Sequence, residues 1–245
     1  MEVHAHTHTP RKKWTHYFWE FLMLFLAVFC GFLAENQREH MIEHQREKQF
    51  MSSLVEDLIT DTLELKKAVR ETDSVARYSD SALFFLTTNK ITDKIPGKLS
   101  DFLGKANPRL SLINTDRTSS QLKNSGAMRL IRQKDVVSEI LQYWKQIDET
   151  NITLERYLSY RNAAREINFK LFLLPLVYER VLLQERDLAR QLRVIDQDPK
   201  KWDELTNLVA ISGQICRLSH LNNLNKQYQM ATTLIELIKK EYHLE

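Results

Sequence analysis

The chain has 245 residues, with five glycines, five prolines and a formal net charge of +3. So little glycine and proline disfavours a sheet protein with many turns and favours long helices. The 35 basic and 32 acidic residues are interspersed, which is typical of solvated helix faces and argues against a nucleic-acid partner. The two cysteines, Cys30 and Cys216, lie in an apolar and a polar segment respectively, so we expect no disulfide between them.

Residues 1–13 form a short N-terminal tip that is rich in histidine. On an extended backbone His4, His6 and His8 would project to the same side, and histidine-rich tracts of this kind bind transition metals. A metal site is therefore one prediction for the tip, and a disordered cytoplasmic tip is the other. The tip ends on a compact basic cluster of Arg11, Lys12 and Lys13.

Residues 14–34 are predicted to form a transmembrane helix. The run 21–34 is apolar without interruption, and the aromatic residues before it are those that settle at a membrane interface. A helix from Trp14 to Ala34 would be about 31 Å long, which matches the hydrocarbon core of a bilayer. Phe32 and Leu33 stand where a cleaved signal peptide needs small residues, so we expect the segment to stay in the protein as an anchor.

The orientation of the anchor is predicted from the cations on its two sides. Three cations precede it and three follow it closely, but those in front are contiguous whereas Arg38, Arg46 and Lys48 are spread out. The compact cluster favours an N-terminus in the cytoplasm. The rest of the chain would then lie in a periplasm, on the far side of a bacterial cytoplasmic membrane.

One side of the anchor carries small residues at positions i, i+3, i+4 and i+7, namely Ala27, Cys30, Gly31 and Ala34. Small residues at this spacing allow two membrane helices to approach closely. The stripe is therefore a candidate contact surface for a second copy or for a larger membrane protein. Glu20 falls on the same side, where its carboxylate could extend to the membrane interface or pair with His16.

Residues 35–245 are predicted to form an extramembrane helical domain. A long juxtamembrane helix, continuous with the anchor, should end around residues 89–97 because Asn89, Pro96 and Gly97 interrupt the pattern. Further helices are predicted over 99–107, 110–126, 135–169 and 199–242. We expect an all-α fold in which the transmembrane helix is followed by an antiparallel bundle of long helices.

Two local features of this domain carry more detailed predictions. Asp116 is expected to cap a helix and Gly126 to end it with a left-handed turn. The apolar stretch 171–177 is too short to cross a bilayer and contains Pro175, so we interpret it as a kinked, buried helical segment.

No catalytic pattern is present in the sequence. It contains no phosphate-binding loop, no nucleotide-binding glycine fingerprint, no paired Cys-x-x-Cys and no H-E-x-x-H. Asp57 and Asp61 could face one way and share a cation, as could His40 and His44, but neither pair comes with the further ligands a metal site needs. We therefore expect neither an enzyme nor a cofactor.

Two stretches resemble a known group of proteins. The histidine-rich tip followed by FWEFLMLFLAVFCGFLAENQREHMIEHQREKQFMSSLVEDLITDT is similar to a family of single-pass membrane proteins of Bacteroidota that has no assigned function. The segment SSQLKNSGAMRLIRQKDVVSEILQYW resembles a second element of that family, in which a turn joins two helices. The resemblance implies a bacterial membrane location and a helical domain, and it implies no activity.

The sequence thus favours a membrane-anchored interaction or sensory module that is not itself an enzyme. The expected partners are the lipid bilayer and either a second copy of the chain or a larger membrane protein. One alternative is a small accessory subunit of a membrane transport or secretion complex. Another is a metal-handling protein that acts through His4, His6 and His8.

Overall fold

The computed structural model of the protein describes residues 14–92, 94–172 and 191–244. The all-α prediction is confirmed. The described helices are α1 (Trp14–Thr88), α2 (Gly97–Ala106), α3 (Arg117–Asn124), α4 (Lys134–Leu171), α5 (Pro199–Ile215) and α6 (Leu221–Tyr242). A 3₁₀ turn (Ala127–Leu130) precedes α4, and a π-helical turn (Cys216–His220) joins α5 to α6. Two short strands, β1 (Lys94–Pro96) and β2 (Gln191–Arg193), pair antiparallel.

The chain divides into two compact units, Met1–Gln49 and Phe50–Glu245. The division falls inside α1 and later than the predicted boundary between residues 34 and 35. The second unit, Phe50–Glu245, is the helical domain.

Three long helices and four clusters of buried side chains make up the helical domain. Met51 lies near the point where α1 enters the helical domain, and it packs in one cluster with Val136 of α4 and Ile238 of α6. At the other end, Ala82 clusters with Ile167 of α4 and Leu205 of α5. The α1 and α4 helices therefore run in the same direction, and the continuous α5–α6 helix runs antiparallel to both.

The ends of the helices follow local sequence signals in most places. The carboxylate of Asp198 accepts a hydrogen bond from the Lys200 N–H at 3.0 Å and caps α5, with Pro199 in the first turn. Gly126 has a φ of +69°, which places the predicted left-handed turn between α3 and the 3₁₀ turn. Asp116 precedes α3 as expected, but its side chain makes no capping hydrogen bond.

The predicted kinked helix at residues 171–177 falls mostly outside the described residues. Leu171 is the last residue of α4 and is fully buried. Phe172 is extended, with φ −121° and ψ 147°, and bridges to Val194. The helix therefore ends four residues before Pro175, and residues 173–177 lie outside the described part of the chain.

The α1 and α5 helices come close together at Gly213. A Cβ atom at this position would lie 2.6 Å from Ser79 Cβ and 3.0 Å from Ser79 Oγ. Ser79 is fully buried, and its hydroxyl donates to the carbonyl of Val75 at 2.9 Å. Since neither atom is the free end of a flexible side chain, the two helices pack at a distance that only glycine permits here.

Replacing Gly213 with alanine is expected to lower the free energy of unfolding of the helical domain by about 1–2 kcal/mol. Overpacking costs about 1–3 kcal/mol and exceeds the gain of up to about 1 kcal/mol from helix propensity. The combination of Ser79→Gly with Gly213→Ala should restore most of the loss, because it removes the Ser79 hydroxymethyl group that the added methyl group would meet. Urea unfolding of the full chain in detergent, followed by circular dichroism, measures both effects. An unchanged stability of Gly213→Ala would contradict the close approach.

Candidate functional site

The first unit contains an exposed apolar helix. By length and composition α1 is the one described helix that can cross a membrane, and none of its most apolar window, with a mean hydropathy of 2.0, is buried. Trp14 and Trp19 are 81% and 60% exposed at one end of this segment. An apolar surface of this kind is normally covered by lipid or by another protein.

The small-residue stripe and a phenylalanine ladder lie on opposite sides of the anchor. Ala27, Cys30, Gly31 and Ala34 are all exposed, and no atom lies within 4 Å of the space beside Gly31. Phe21, Phe25 and Phe29 stack with ring centroids 6.3 and 5.9 Å apart. At 100° per residue this ladder is about 170° around the helix from the stripe. One side of the anchor is therefore bulky and the other is open to close packing.

Three histidines of α1 lie beside carboxylates. Nε2 of His16 lies 3.1 Å from Oε1 of Glu20, so the predicted pair is present. His40 and His44 each face a glutamate three residues later, with Nδ1–Oε2 distances of 3.8 and 3.3 Å. Within residues 14–92, 94–172 and 191–244, no three His, Cys, Asp or Glu side chains converge to hold a metal ion. His4, His6 and His8 lie outside the described residues, and their metal site stays a prediction.

The structure gives separate partners to the two carboxylates that the sequence marked as a possible cation pair. Asp57 accepts hydrogen bonds from the Thr118 N–H at 2.9 Å and from Nη2 of Arg117 at 2.7 Å. Asp61 accepts from the Thr115 N–H at 2.7 Å and from the Tyr143 hydroxyl at 2.8 Å. Both aspartates are buried. Together they attach the connection between α2 and α4 to α1.

Burial is the main influence on the pKa values of Asp61 and Tyr143. It raises the pKa of Asp61 above its ordinary value of 3.8, against the opposing effect of the hydrogen bonds from Thr115 and Tyr143. The pKa of Tyr143 is raised as well, first by burial and then by the charge of Asp61. Asp57 caps α3 from another helix, which explains why Asp116 is not needed for that role.

A buried histidine lies in the π turn between α5 and α6. His220 is 1% exposed, and its Nδ1 lies 3.0 Å from Oγ1 of Thr153 on α4. The Thr153 hydroxyl donates to the carbonyl of Thr150 at 2.8 Å. It therefore accepts from His220, which places the proton of the neutral ring on Nδ1. Burial lowers the pKa of His220 from 6.5 to about 4.

A cavity of about 380 Å³, which we call the arginine cavity, lies between α2 and the end of α4. It is lined by Ser100, Leu103, Gly104, Asn107, Pro108, Arg161, Arg165, Asn168, Phe169 and Phe172. The Arg161 guanidinium, in a side chain that is 9% exposed, donates from Nε to the Asn107 carbonyl at 3.0 Å. Its Nη1 donates to Oδ1 of Asn162 at 2.9 Å.

Sequence reasoning did not find the arginine cavity, although one signal for it was present. Arg161 lies on the same helical face as Leu154, Tyr157 and Ala164, all of which are buried. A cation on an apolar stripe is unusual, because buried charges need a specific partner. The contribution of α2 could not be inferred in the same way, since nothing in its sequence points to α4.

No protein-family model, curated protein or solved structure matches this chain.

Proposed function

We propose that the protein is a membrane-anchored helical interaction or sensory module without catalytic activity of its own. The observation that carries this proposal is the anchor, which is an exposed apolar segment of α1. The same helix continues as the first long helix of the polar helical domain. A helix of this composition is stable only where lipid or protein covers it. The anchor would hold the helical domain at a membrane surface, where it meets its partners.

The polar groups of the helical domain support a role in assembly instead of chemistry. Asp57 and Asp61 bind backbone N–H groups, and His220 binds Thr153. Each of these contacts stabilises the packing of a long helix against another part of the domain. The Thr153 hydroxyl beside His220 is buried and donates to the Thr150 carbonyl, so the imidazole does not act on it as a general base.

A second proposal is an accessory subunit of a larger membrane transport or secretion complex. It is favoured by the arrangement of the anchor, in which the Phe21–Phe25–Phe29 ladder can face lipid while the small-residue stripe packs on a partner helix. Metal handling by the histidine tip is the third. For all three we propose the cytoplasmic membrane of a bacterium, with the N-terminus inside and the helical domain in the periplasm, on the basis of the compact cation cluster in front of the anchor.

Purification of the full chain from native membranes in mild detergent tests the first two proposals. A homo-oligomer that copurifies with no stoichiometric protein supports the module, and a stoichiometric larger membrane protein supports the subunit. Replacing Ala27 and Gly31 with leucine should reduce either association at least about tenfold, because the added side chains prevent close helix packing. The matched control is the pair of substitutions Val28→Leu and Phe32→Leu, since both residues lie away from the stripe.

Cys30 offers a second measurement on the same surface. It is exposed, whereas Cys216, the other cysteine of the chain, is buried. Oxidation of membranes should therefore link two copies through Cys30 if the stripe is the dimer contact, and Cys30→Ser should abolish the linked species. A chain that stays monomeric, binds no membrane protein and is insensitive to the leucine substitutions would refute both proposals.

A further inference from the structure

We propose that the arginine cavity binds a small organic anion, a carboxylate or phosphate that also carries an O–H or N–H donor and an apolar body. This inference goes beyond the proposed anchor and partner function and does not depend on it. It rests on three sets of lining groups that one ligand could contact together: cations, buried hydrogen-bond acceptors and apolar side chains.

The cations of the cavity have no acidic partner within the described part of the chain. Among the described residues, neither Arg161 nor Arg165 forms an ion pair with a carboxylate. The pKa of Arg161 is lowered by burial first and then by the positive charges of Arg165 and Arg109. A buried guanidinium with like charges beside it is destabilised, and an anion in the cavity would remove that penalty.

The hydrogen bonds that Arg161 makes within the described chain use only part of its guanidinium. The contact between Nε and the Asn107 carbonyl satisfies the C-terminal end of α2, which is a structural role. Nη1 also donates to Oδ1 of Asn162, so about three of the five N–H groups of the guanidinium are left for other acceptors. A guanidinium binds carboxylates and phosphates through such groups with charge-assisted hydrogen bonds.

Two buried amide oxygens line the same cavity. Oδ1 of Asn107 and Oδ1 of Asn168 are buried and have no hydrogen-bond partner among the described residues. Asn107 is only 8% exposed, and its amide nitrogen donates to the Leu103 carbonyl at 3.0 Å, which fixes the oxygen as the free end. Buried acceptors without a donor are unfavourable. They favour a ligand that brings an O–H or N–H group next to its anionic group.

The remaining lining is apolar and includes Leu103, Pro108, Phe169 and Phe172. Arg165 lies over the Phe169 ring, 5.2 Å from its centroid, which keeps a cation next to the apolar wall. A volume of about 380 Å³ is in the range of sites that hold small organic ligands. The cavity therefore fits an anion with a compact apolar body such as an aromatic ring.

The test titrates 3-phenyllactate, which combines a carboxylate, a hydroxyl and a phenyl ring, into the full chain in phosphatidylcholine nanodiscs. Calorimetry should show saturable binding that is at least about tenfold weaker for 3-phenylpropane-1,2-diol, which lacks the charge, and weaker for 3-phenylpropanoate, which lacks the hydroxyl. A Kd for 3-phenyllactate above about 10 mM, or equal binding of the charged and uncharged compounds, would overturn the proposal.

Variants locate the binding in the cavity. Arg161→Lys and Arg165→Gln should each weaken binding about tenfold through lost hydrogen bonds or charge. Gly104 lines the cavity and is exposed on α2 with no atom near an added Cβ, so Gly104→Val should fold, narrow the cavity and weaken binding. Arg156→Gln, on the exposed side of α4, is the charge-matched control. If Arg161→Lys does not fold, the other variants decide, and binding that none of them changes would refute the site.

The same chemistry occurs in free metabolites and in the phosphoglycerol headgroup of a lipid. Repeating the titration in phosphatidylglycerol nanodiscs at high salt, which screens the charge of the disc surface, separates the two sources. Weaker binding of 3-phenyllactate to the unmodified chain would identify the lipid headgroup as a competitor in the cavity. Unchanged binding would assign the cavity to a soluble anion.

Discussion

Replacing Asp57 with alanine is expected to lower the free energy of unfolding of the helical domain by about 3 kcal/mol. The carboxylate accepts a charge-assisted hydrogen bond from the Thr118 N–H at 2.9 Å, and Thr118 is 1% exposed. Without the carboxylate this N–H at the start of α3 would be buried with no acceptor. Loss of the bond and desolvation of the donor together account for the expected size. Urea unfolding of the full chain in detergent, followed by the fluorescence of the buried Trp144 and Trp202, gives the measurement.

Glu56 provides the matched control for this substitution. It is adjacent in sequence and lies 3.4 Å from the same Arg117 guanidinium, but its side chain is 68% exposed. Exposed ion pairs contribute little, so Glu56→Ala should change the free energy of unfolding by less than about 0.5 kcal/mol. Asp57→Asn keeps one acceptor oxygen and should lie between the two. Equal effects of Glu56→Ala and Asp57→Ala would show that Asp57 does not hold α3.

The sequence was sufficient to predict most of the helices because their signals are local. The helix predicted over 110–126 is the exception, since only Arg117–Asn124 is helical and residues 108–116 are not. The spacing of Leu54, Leu58 and Leu65 predicts the buried side of α1, and all three are buried. Gly126 adopts the left-handed turn that was predicted from its residue type. In both cases the structure depends on residues within a few positions of each other.

Partners across the chain could not be predicted in the same way. The spacing of Asp57 and Asp61 correctly suggested a shared face of α1, but their partners Thr118 and Thr115 are 61 and 54 residues away. A single sequence does not reveal such pairings, since any buried donor could satisfy a carboxylate. The sequence therefore indicated only a possible shared cation, whereas the two carboxylates bind backbone N–H groups of the connection between α2 and α4.

The arginine cavity and the π turn depend even more on packing. Arg161 could be recognised as a cation on an apolar stripe, but its contact with the end of α2 depends on how a separate helix packs against α4. The pattern of α5 and α6 predicts one continuous helix, and the π turn at Cys216–His220 interrupts its regular geometry. Such turns are frequent at functional positions and have no reliable sequence signal.

His220 lies in this π turn, and we expect it to make the helical domain less stable in acid. Its pKa is lowered by burial from 6.5 to about 4 in the folded protein. Above pH 6.5 the imidazole is neutral in both the folded and the unfolded chain, and its burial costs nothing in protonation. As the pH falls from 6.5 to about 4, the unfolded chain binds a proton that the folded chain does not. The free energy of unfolding should therefore fall by about 3 kcal/mol across this window.

The dependence on His220 is isolated by comparing variants at each pH. His220→Asn keeps an N–H donor for Thr153 and removes the titrating ring, so the unmodified chain should lose about 3 kcal/mol relative to this variant between pH 6.5 and 4. The comparison cancels the titration of other groups, including Asp61, whose raised pKa acts in the opposite direction. His243→Asn, at an exposed position just after α6, should retain the full loss. A difference between the unmodified chain and His220→Asn that does not change with pH would mean that water or an anionic group reaches the ring, and that the π turn does not seal His220 in the core.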